Sequence, residues 1–178
     1  MIQSFRCKHT QSLFEGGNPR QFRAFKDVAI RKLTQLDAAR TLDFLRSTPG
    51  NRFEALKGDE VDLTIAIELD GLSWDLLKLK LLTTTSNTMS IPVNRMRPVH
   101  PGEVLREDFL MPLEMSAHAL ALALSVPATR IHEIVKERRS VTADTAERLS
   151  RYFGGDAASW LSLQAVYDLK TLTTRDEI

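Results

Sequence analysis

The stretch that decides the fold is residues 116–139, which read SAHALALALSVPATRIHEIVKERR. Ser116 is a typical helix cap, and the alanines and leucines behind it favour a helix that the Ser-Val-Pro sequence at 125–127 interrupts. A second helix follows at 128–137, and its apolar residues recur at helical spacing. Its inward face consists of Ile131, Ile134 and Val135. The sequence therefore predicts two helices joined by a turn of about four residues.

The outer side of the second predicted helix is polar. In a helix-turn-helix reader this helix lies in the major groove of DNA, and its first residues face the base edges. The side chains predicted to contact bases are Thr129, Arg130, His132 and Glu133. Those predicted to contact phosphates are Lys136, Arg138 and Arg139. Ser116 and His118 are also assigned to DNA binding, and His118 fits a phosphate contact near the start of its helix and a solvated position equally well. On periodicity alone, two helices of any bundle with solvated arginines fit this stretch equally well.

The residues around this motif extend the helical pattern. Prolines at 92, 98 and 101 predict an extended arm over 90–101, and Pro101 suits the first turn of a helix that runs to about 111. Thr142 is predicted to cap a helix over 143–153, which a glycine pair closes. Asp156 is predicted to cap a last helix, whose large aromatic residues form the core or a dimer interface. These aromatic residues are Trp160 and Tyr167. Together with the two-helix motif, these segments predict an all-α domain of five helices.

The N-terminal part has a mixed pattern. A β-α-α-β order is predicted, with helices at 22–36 and 38–45 and a strand at 52–56. Residues 60–88 fit neither element well and are interpreted as a linker. The fold class is thus α+β, with an incomplete α/β part before the helical domain. The predicted boundaries are 1–59, 60–100 for linker and arm, and 101–178 for the DNA-binding domain.

Composition limits the possible functions less than the motif does. The net charge of the 178 residues is only +1, and residues 1–59 carry 11 Lys/Arg against 6 Asp/Glu, so bulk charge does not mark the predicted DNA-binding part. The single cysteine, Cys7, cannot form an internal disulfide, and no apolar run is long enough to span a membrane. We expect a cytoplasmic protein without a membrane partner. We also expect no cofactor, and no metal, since no ligand spacing surrounds His132.

Several motifs resemble one family of DNA-binding proteins. They read HPGEVLRE at 100–107, TADTAERLS at 142–150, ASWLSLQ at 158–164 and YDL at 167–169, with the two-helix motif between them. Together, over residues 89–178, they resemble the HigA antitoxins, whose fold is lambda-repressor-like. The resemblance implies a homodimer that binds a palindromic operator in double-stranded DNA, represses its own operon and neutralises a HigB-type toxin. The family usually has glycine at the positions of Ser125 and one residue within 136–139, and a serine fits if it avoids positive φ.

Residues 1–88 resemble the first two thirds of a HigB toxin, a relative of the RelE messenger-RNA-cleaving toxins. The resemblance rests on IQSFR at 2–6, RKL at 31–33 and PGNRFEALKGD at 49–59. The catalytic ending of that family is missing, but residues 76–86 allow codon choices that encode such an ending in a shifted frame. The hypothesis is a toxin gene frameshifted near residues 58–70 and thereby fused to an antitoxin that starts at Met89.

Three functions compete at this point. The first, which we expect, is a DNA-binding antitoxin and repressor that is not an enzyme. The second is a fused toxin and antitoxin that retains messenger-RNA ribonuclease activity in its N-terminal half, although the ending that would supply acid and base groups is absent. The third is an interaction protein in which residues 1–59 occupy a toxin-binding surface and DNA binding is lost.

Overall fold

The structure is a computed structural model that describes residues 2, 5, 7–49, 51–55, 62–69, 72–80 and 92–176. The chain divides into two compact units. The first comprises Met1–Leu33 and Asn51–Arg97, and the second comprises Thr34–Gly50 and Pro98–Ile178. The predicted boundaries group residues 34–50 with the rest of 1–59, whereas in the structure these residues belong to the unit that contains the helical part of the chain.

The first unit combines short helices with one sheet. Its helical elements are α1 (Lys8–Phe14), a 3-10 turn (Arg20–Phe22) and the first part of α2 (Lys26–Ala38). Its strands are β1 (Asn51–Ala55), β2 (Asp62–Leu69) and β3 (Leu72–Lys80). The sheet is antiparallel in the order β1-β2-β3, and an irregularity interrupts the second ladder between Ile65 and Ala66. Arg95 donates its backbone N–H to the carbonyl of Phe14 over 2.9 Å, which attaches the arm to α1.

The structure corrects three predictions in the N-terminal half of the chain. The helix predicted at 22–36 begins only at Lys26, and the one predicted at 38–45 is α3 (Leu42–Ser47), which Thr41 caps at the backbone N–H of Phe44. The predicted linker contains β2 and β3. Apolar and polar residues alternate there, and the segments form strands because each pairs with an antiparallel neighbour. Residues 56–61, 70–71 and 81–91, with the predicted start at Met89, lie outside the described residues.

The second unit contains the predicted five helices. The first begins as α4 (Pro101–Val104) and continues as a π-helical turn at Leu105–Leu110; the others are α5 (Ala117–Ala123), α6 (Ala128–Val135), α7 (Ala143–Phe153) and α8 (Ala157–Asp176). Residues 92–100, which lie in the predicted arm, form neither a helix nor a strand. Among the described residues, no helix is long and apolar enough to cross a membrane.

Trp160 forms the centre of this unit. Its side chain is fully buried, and its ring centroid lies 5.2 Å from that of Phe109 and 5.5 Å from that of Phe44. Tyr167, one of the predicted interface residues, meets the ring of His100 edge to face at 4.7 Å. Of the two alternatives left open by the sequence, core packing therefore applies to Trp160.

Residues 34–50 contribute to the same core. Gln35 donates from its amide to the carboxylate of Asp108 over 2.6 Å in a buried hydrogen bond. The backbone N–H of Arg40 donates to the hydroxyl of Ser159 over 2.9 Å. A Cβ on Gly155 would stand 2.8 Å from the Cα of Phe44, so the two backbones are in close contact. Shape and hydrogen bonding thus make 34–50 part of the helical unit.

The ends of α7 and α8 follow the predicted signals with one change. Gly154 and Gly155 have φ of 88° and 84°, a conformation that favours glycine, and Asp156 accepts a 2.7 Å hydrogen bond from the backbone N–H of Ser159 as a cap should. Thr142 occupies the cap position of α7, but its hydroxyl contacts the hydroxyl of Thr145 at 3.2 Å instead of a backbone N–H.

Candidate nucleic-acid interface

Helices α5 and α6 form a helix-turn-helix with an apolar interior. Leu120 and Ala121 on α5 are buried, as are Ile131 and Ile134 on α6. The turn between them closes when the backbone N–H of Val126 donates to the carbonyl of Ala121 over 3.0 Å. This pattern is a Schellman motif, which places the residue before Val126 in the left-handed region. The predicted two helices and their short turn are confirmed.

Ser125 occupies that left-handed position with φ of 54°. The condition under which a serine fits this turn without strain, that it avoids positive φ, is therefore not met. The cause lies in the hydrogen bonds of the turn, because Ser125 also donates its N–H to Leu122 and cannot leave the conformation without breaking them. A residue with a Cβ is strained here, where the family usually has glycine.

The C-terminal end of α6 is built in the same way. Arg138 donates its backbone N–H to the carbonyl of Glu133 over 2.9 Å, and Glu137 has φ of 62°. The helix consequently ends at Val135, two residues before the predicted end at 137. Arg106 adds a side-chain cap, since its guanidinium donates to the carbonyl of Val135 over 2.8 Å.

The two sides of α6 separate the predicted base contacts from the core. Because successive residues turn by about 100°, Thr129, His132, Glu133 and Lys136 share one side, opposite the buried isoleucines. Thr129 and Lys136 are exposed, whereas His132 and Glu133 are half-buried. Arg130 lies at the edge of this polar side, turned towards α7. The structure therefore groups four of the predicted residues and sets Arg130 at their margin.

Arg130 has a partner on the next helix. Its guanidinium lies 2.6 Å from one carboxylate oxygen of Asp144, and Arg148 donates from Nε to the other oxygen over 3.0 Å. These hydrogen bonds, that of Arg148 first and that of Arg130 second, hold the pKa of the exposed Asp144 below its ordinary value. Arg148 also donates to the carbonyl of Leu124 over 2.9 Å and so caps α5.

His132 has a defined tautomer when it is neutral. Its Nδ1 lies 2.7 Å from the carbonyl oxygen of Ala128, and because a carbonyl only accepts, Nδ1 carries the hydrogen. The other ring nitrogen, Nε2, is then an acceptor. An acceptor at this position suits the amino group of adenine or cytosine in the major groove.

The remaining predicted contacts lie at the two ends of the motif. Lys136, Arg138 and Arg139 are exposed where the chain leaves α6. At the other end, Ser116 accepts a 3.1 Å hydrogen bond from the backbone N–H of Ala119, and His118 is exposed in the first turn of α5. The Ser116 hydroxyl keeps its own proton for donation, so capping does not conflict with a phosphate contact.

Sequence reasoning missed the role of His100, which caps α4. The Nδ1 atom of His100 accepts a 2.9 Å hydrogen bond from the backbone N–H of Gly102 and caps α4. Burial lowers the pKa of His100, although the nearby carboxylates of Glu137, Asp168 and Glu103 oppose this effect. The position of His100 before a proline could have identified this cap, but its burial depends on distant residues.

Comparison with curated proteins gives relatives for part of the chain. Virulence-associated protein I of Dichelobacter nodosus is 63% identical over 84 residues, which are 46% of this chain and 78% of that protein. The uncharacterized HTH-type transcriptional regulator YbaQ of Escherichia coli is 30% identical over 86 residues, 46% of this chain and 76% of that protein. Antitoxin HigA-1 of Vibrio cholerae is 33% identical over 73 residues, 41% of this chain and 69% of that protein. No family model matches the chain.

Among solved structures, the Pseudomonas aeruginosa antitoxin HigA with the higBA promoter is 47% identical. The match covers 46% of this chain and 88% of that chain, with a TM-score of 0.45. An addiction module antidote protein of the HigA family from Coxiella burnetii is 44% identical, with 46% and 89% of the two chains covered and a TM-score of 0.44.

Proposed function

This chain belongs, through the region it shares with its curated relatives, to the HigA-type family of antitoxins and helix-turn-helix transcriptional regulators, and we propose that it represses transcription by binding operator DNA. In this proposal α6 lies in the major groove, where its polar side reads the base edges. The described side chains serve recognition and positioning, and the proposal assigns them no catalytic role.

The observation that carries the proposal is the division of α6 into two sides. Ile131 and Ile134 are fully buried, so the orientation of the helix on its neighbours is fixed. Thr129, His132 and Glu133 stay on the other side with hydrogen-bonding groups for bases. The free acceptor of His132 and the carboxylate of Glu133 both suit the amino groups of adenine or cytosine, and Arg130 suits guanine.

Phosphate contacts in this proposal come from both ends of the motif. After α6 come the exposed cations Lys136, Arg138 and Arg139. At the other end, Ser116 directly precedes α5, and the exposed His118 lies in the first turn of that helix. Such contacts fix the register of a protein on the duplex and make its binding depend on salt.

A homodimer on a palindromic operator is the assembly that we propose. Repressors of this architecture read two half-sites whose symmetry matches that of the protein. The long helix α8 supports a dimer, because Leu161, Leu169 and Leu172 are 37%, 65% and 56% exposed and lie within one side of the helix. Sedimentation equilibrium of the Leu169→Glu variant and of the wild type tests this interface. If α8 forms it, the variant should self-associate more weakly than the wild type.

A HigB-type toxin is the second partner that we propose, with residues 1–88 as the remnant of such a toxin. The contacts of 34–50 within the helical unit support this idea, since Gln35 pairs with Asp108 and Phe44 packs on Trp160, which joins a segment of the toxin-like part to the core of the antitoxin-like part. The gene sequence tests the remnant: codons for 76–86 that cannot encode a toxin-like ending in the shifted frame would remove the frameshift hypothesis.

The test of DNA binding is a titration of the full chain with the duplex immediately upstream of its gene and with a shuffled duplex of equal composition, at two salt concentrations. Operator recognition predicts a preference of about a thousandfold or more for the upstream duplex. Weak, equal and strongly salt-dependent binding to both duplexes would contradict the proposal.

A further inference from the structure

Asp144 is an acidic residue whose carboxylate contacts Arg130, one of the side chains predicted to read bases. It lies in the first turn of α7, outside the helix-turn-helix, and its exposed carboxylate joins Arg130 at 2.6 Å to Arg148 at 3.0 Å. Arg148 in turn is anchored to the carbonyl of Leu124, at the end of α5. A chain of three charged side chains therefore connects the edge of α6 to the backbone of the turn.

This arrangement restricts Arg130 in two ways. Only one terminal nitrogen of its guanidinium contacts Asp144, so the opposite edge keeps two parallel donors for the bidentate contact that guanine accepts. The carboxylate also engages one terminal nitrogen of Arg130, which a phosphate could otherwise attract, and a negative charge beside DNA would oppose every phosphate equally. The first effect favours the correct base, and the second weakens binding to all sequences alike, so that the base contact accounts for a larger share of the affinity.

We propose that Asp144 is a specificity-determining positioning residue, which orients Arg130 for base recognition and suppresses its binding to phosphates. The inference rests on the proposed DNA-binding function and adds to it a residue outside the recognition helix. Asp144 itself touches no base in this proposal and acts through Arg130.

The chain offers a matched control on the same helix. Asp144 and Arg148 form an i,i+4 pair, and so do Glu147 and Arg151, at 2.9 Å. Both pairs are exposed. Of the two carboxylates, Asp144 is the one with a described contact to α6, through Arg130. Asp144→Asn and Glu147→Gln therefore remove one negative charge and one helical ion pair each, but only Asp144→Asn releases Arg130.

The experiment measures binding of the full chain to the upstream duplex and to the shuffled duplex, for the wild type, both variants, Arg130→Ala and the double variant Arg130→Ala/Asp144→Asn. Asp144→Asn is expected to bind the shuffled duplex about two- to fivefold more tightly and the upstream duplex more weakly. The ratio of the two affinities should fall by roughly tenfold. Glu147→Gln should leave this ratio unchanged, and Asp144→Asn should not alter it in the Arg130→Ala background.

Three results separate the possible failures. An equal change on both duplexes for Asp144→Asn, with the wild-type preference intact, would overturn the inference and leave the proposed function standing. The same fall in the ratio for Glu147→Gln would also overturn it, because charge alone would then explain the effect. A wild-type chain without preference for the upstream duplex would overturn the proposed function and this inference together. Circular dichroism of each variant checks that the helices are retained.

Discussion

The backbone of Gly102 lies directly against the carbonyl of Ile134, so closely that a Cβ at position 102 would stand 1.7 Å from that oxygen. Gly102 is in the first turn of α4, and Ile134 is a core residue of α6. Helix α6 is therefore seated on a backbone-to-backbone contact that only glycine permits.

Gly102→Ala is expected to destabilise the helical unit by about 3 kcal/mol or more, because α4 or α6 must move to admit the methyl group. Urea unfolding followed by circular dichroism measures this loss. Ala143→Ser is the control, since it also adds one heavy atom in the first turn of a helix but at an exposed position, and it should change stability by less than about 0.5 kcal/mol. Equal stabilities of the two variants would contradict the close contact.

Ser125→Gly is expected to stabilise the chain by up to about 1 kcal/mol. The reason is the φ of 54° at Ser125, which glycine adopts without strain. Ser140→Gly provides the control, because Ser140 is exposed in a nearby loop and is not among the described residues with positive φ. There the added freedom of the unfolded chain should leave stability unchanged or slightly lower. Stabilisation of the same size at both positions would argue against a strained Ser125.

His100→Asn is expected to change the pH dependence of stability. Burial lowers the pKa of His100 in the folded chain, so below about 6.5 the unfolded chain takes up the proton more readily. The wild type should accordingly lose stability as pH falls from about 6.5, and this contribution should disappear in His100→Asn, whose side-chain oxygen can still cap α4. Urea unfolding between pH 5 and pH 7.5 measures it, with exposed His118→Asn as the control. Parallel profiles for wild type and His100→Asn would contradict a buried, neutral His100.

Phe44→Ala is expected to lower the free energy of unfolding by about 3–5 kcal/mol, because Phe44 is fully buried against Trp160. Asp43→Ala, next to it on α3, is the control: Asp43 is exposed and pairs with Arg46, so its loss should cost under about 1 kcal/mol. Thermal unfolding compares the two. If Phe44→Ala unfolds at the wild-type temperature, residues 34–50 are not part of the helical core.

Local patterns predicted the helical unit well. The caps at Ser116 and Asp156 and the inward Ile131 and Ile134 depend on neighbours along the chain, and the structure has them as expected. The end of α6 was placed two residues late, because Glu137 adopts positive φ without being glycine or asparagine, the usual signals.

What the sequence did not predict depends on distant partners. Strands β2 and β3 exist through their pairing, and such pairing is invisible to a local pattern that also fits a linker. Asp144 forms two ion pairs. Helical spacing along the sequence predicts the one with Arg148, but the one with Arg130 joins two helices and is not visible in that spacing. The packing of residues 34–50 with the helical unit likewise required the structure.

The most direct test of the central claim is the effect of Arg130→Ala on the affinity for the upstream duplex relative to the shuffled duplex. If α6 reads bases through Arg130, the variant loses about 1–3 kcal/mol on the upstream duplex and little on the shuffled one. Arg138→Ala, which removes a proposed phosphate contact, should weaken both by a similar factor and reduce the salt dependence. An equal loss on both duplexes for Arg130→Ala would contradict base recognition by this helix.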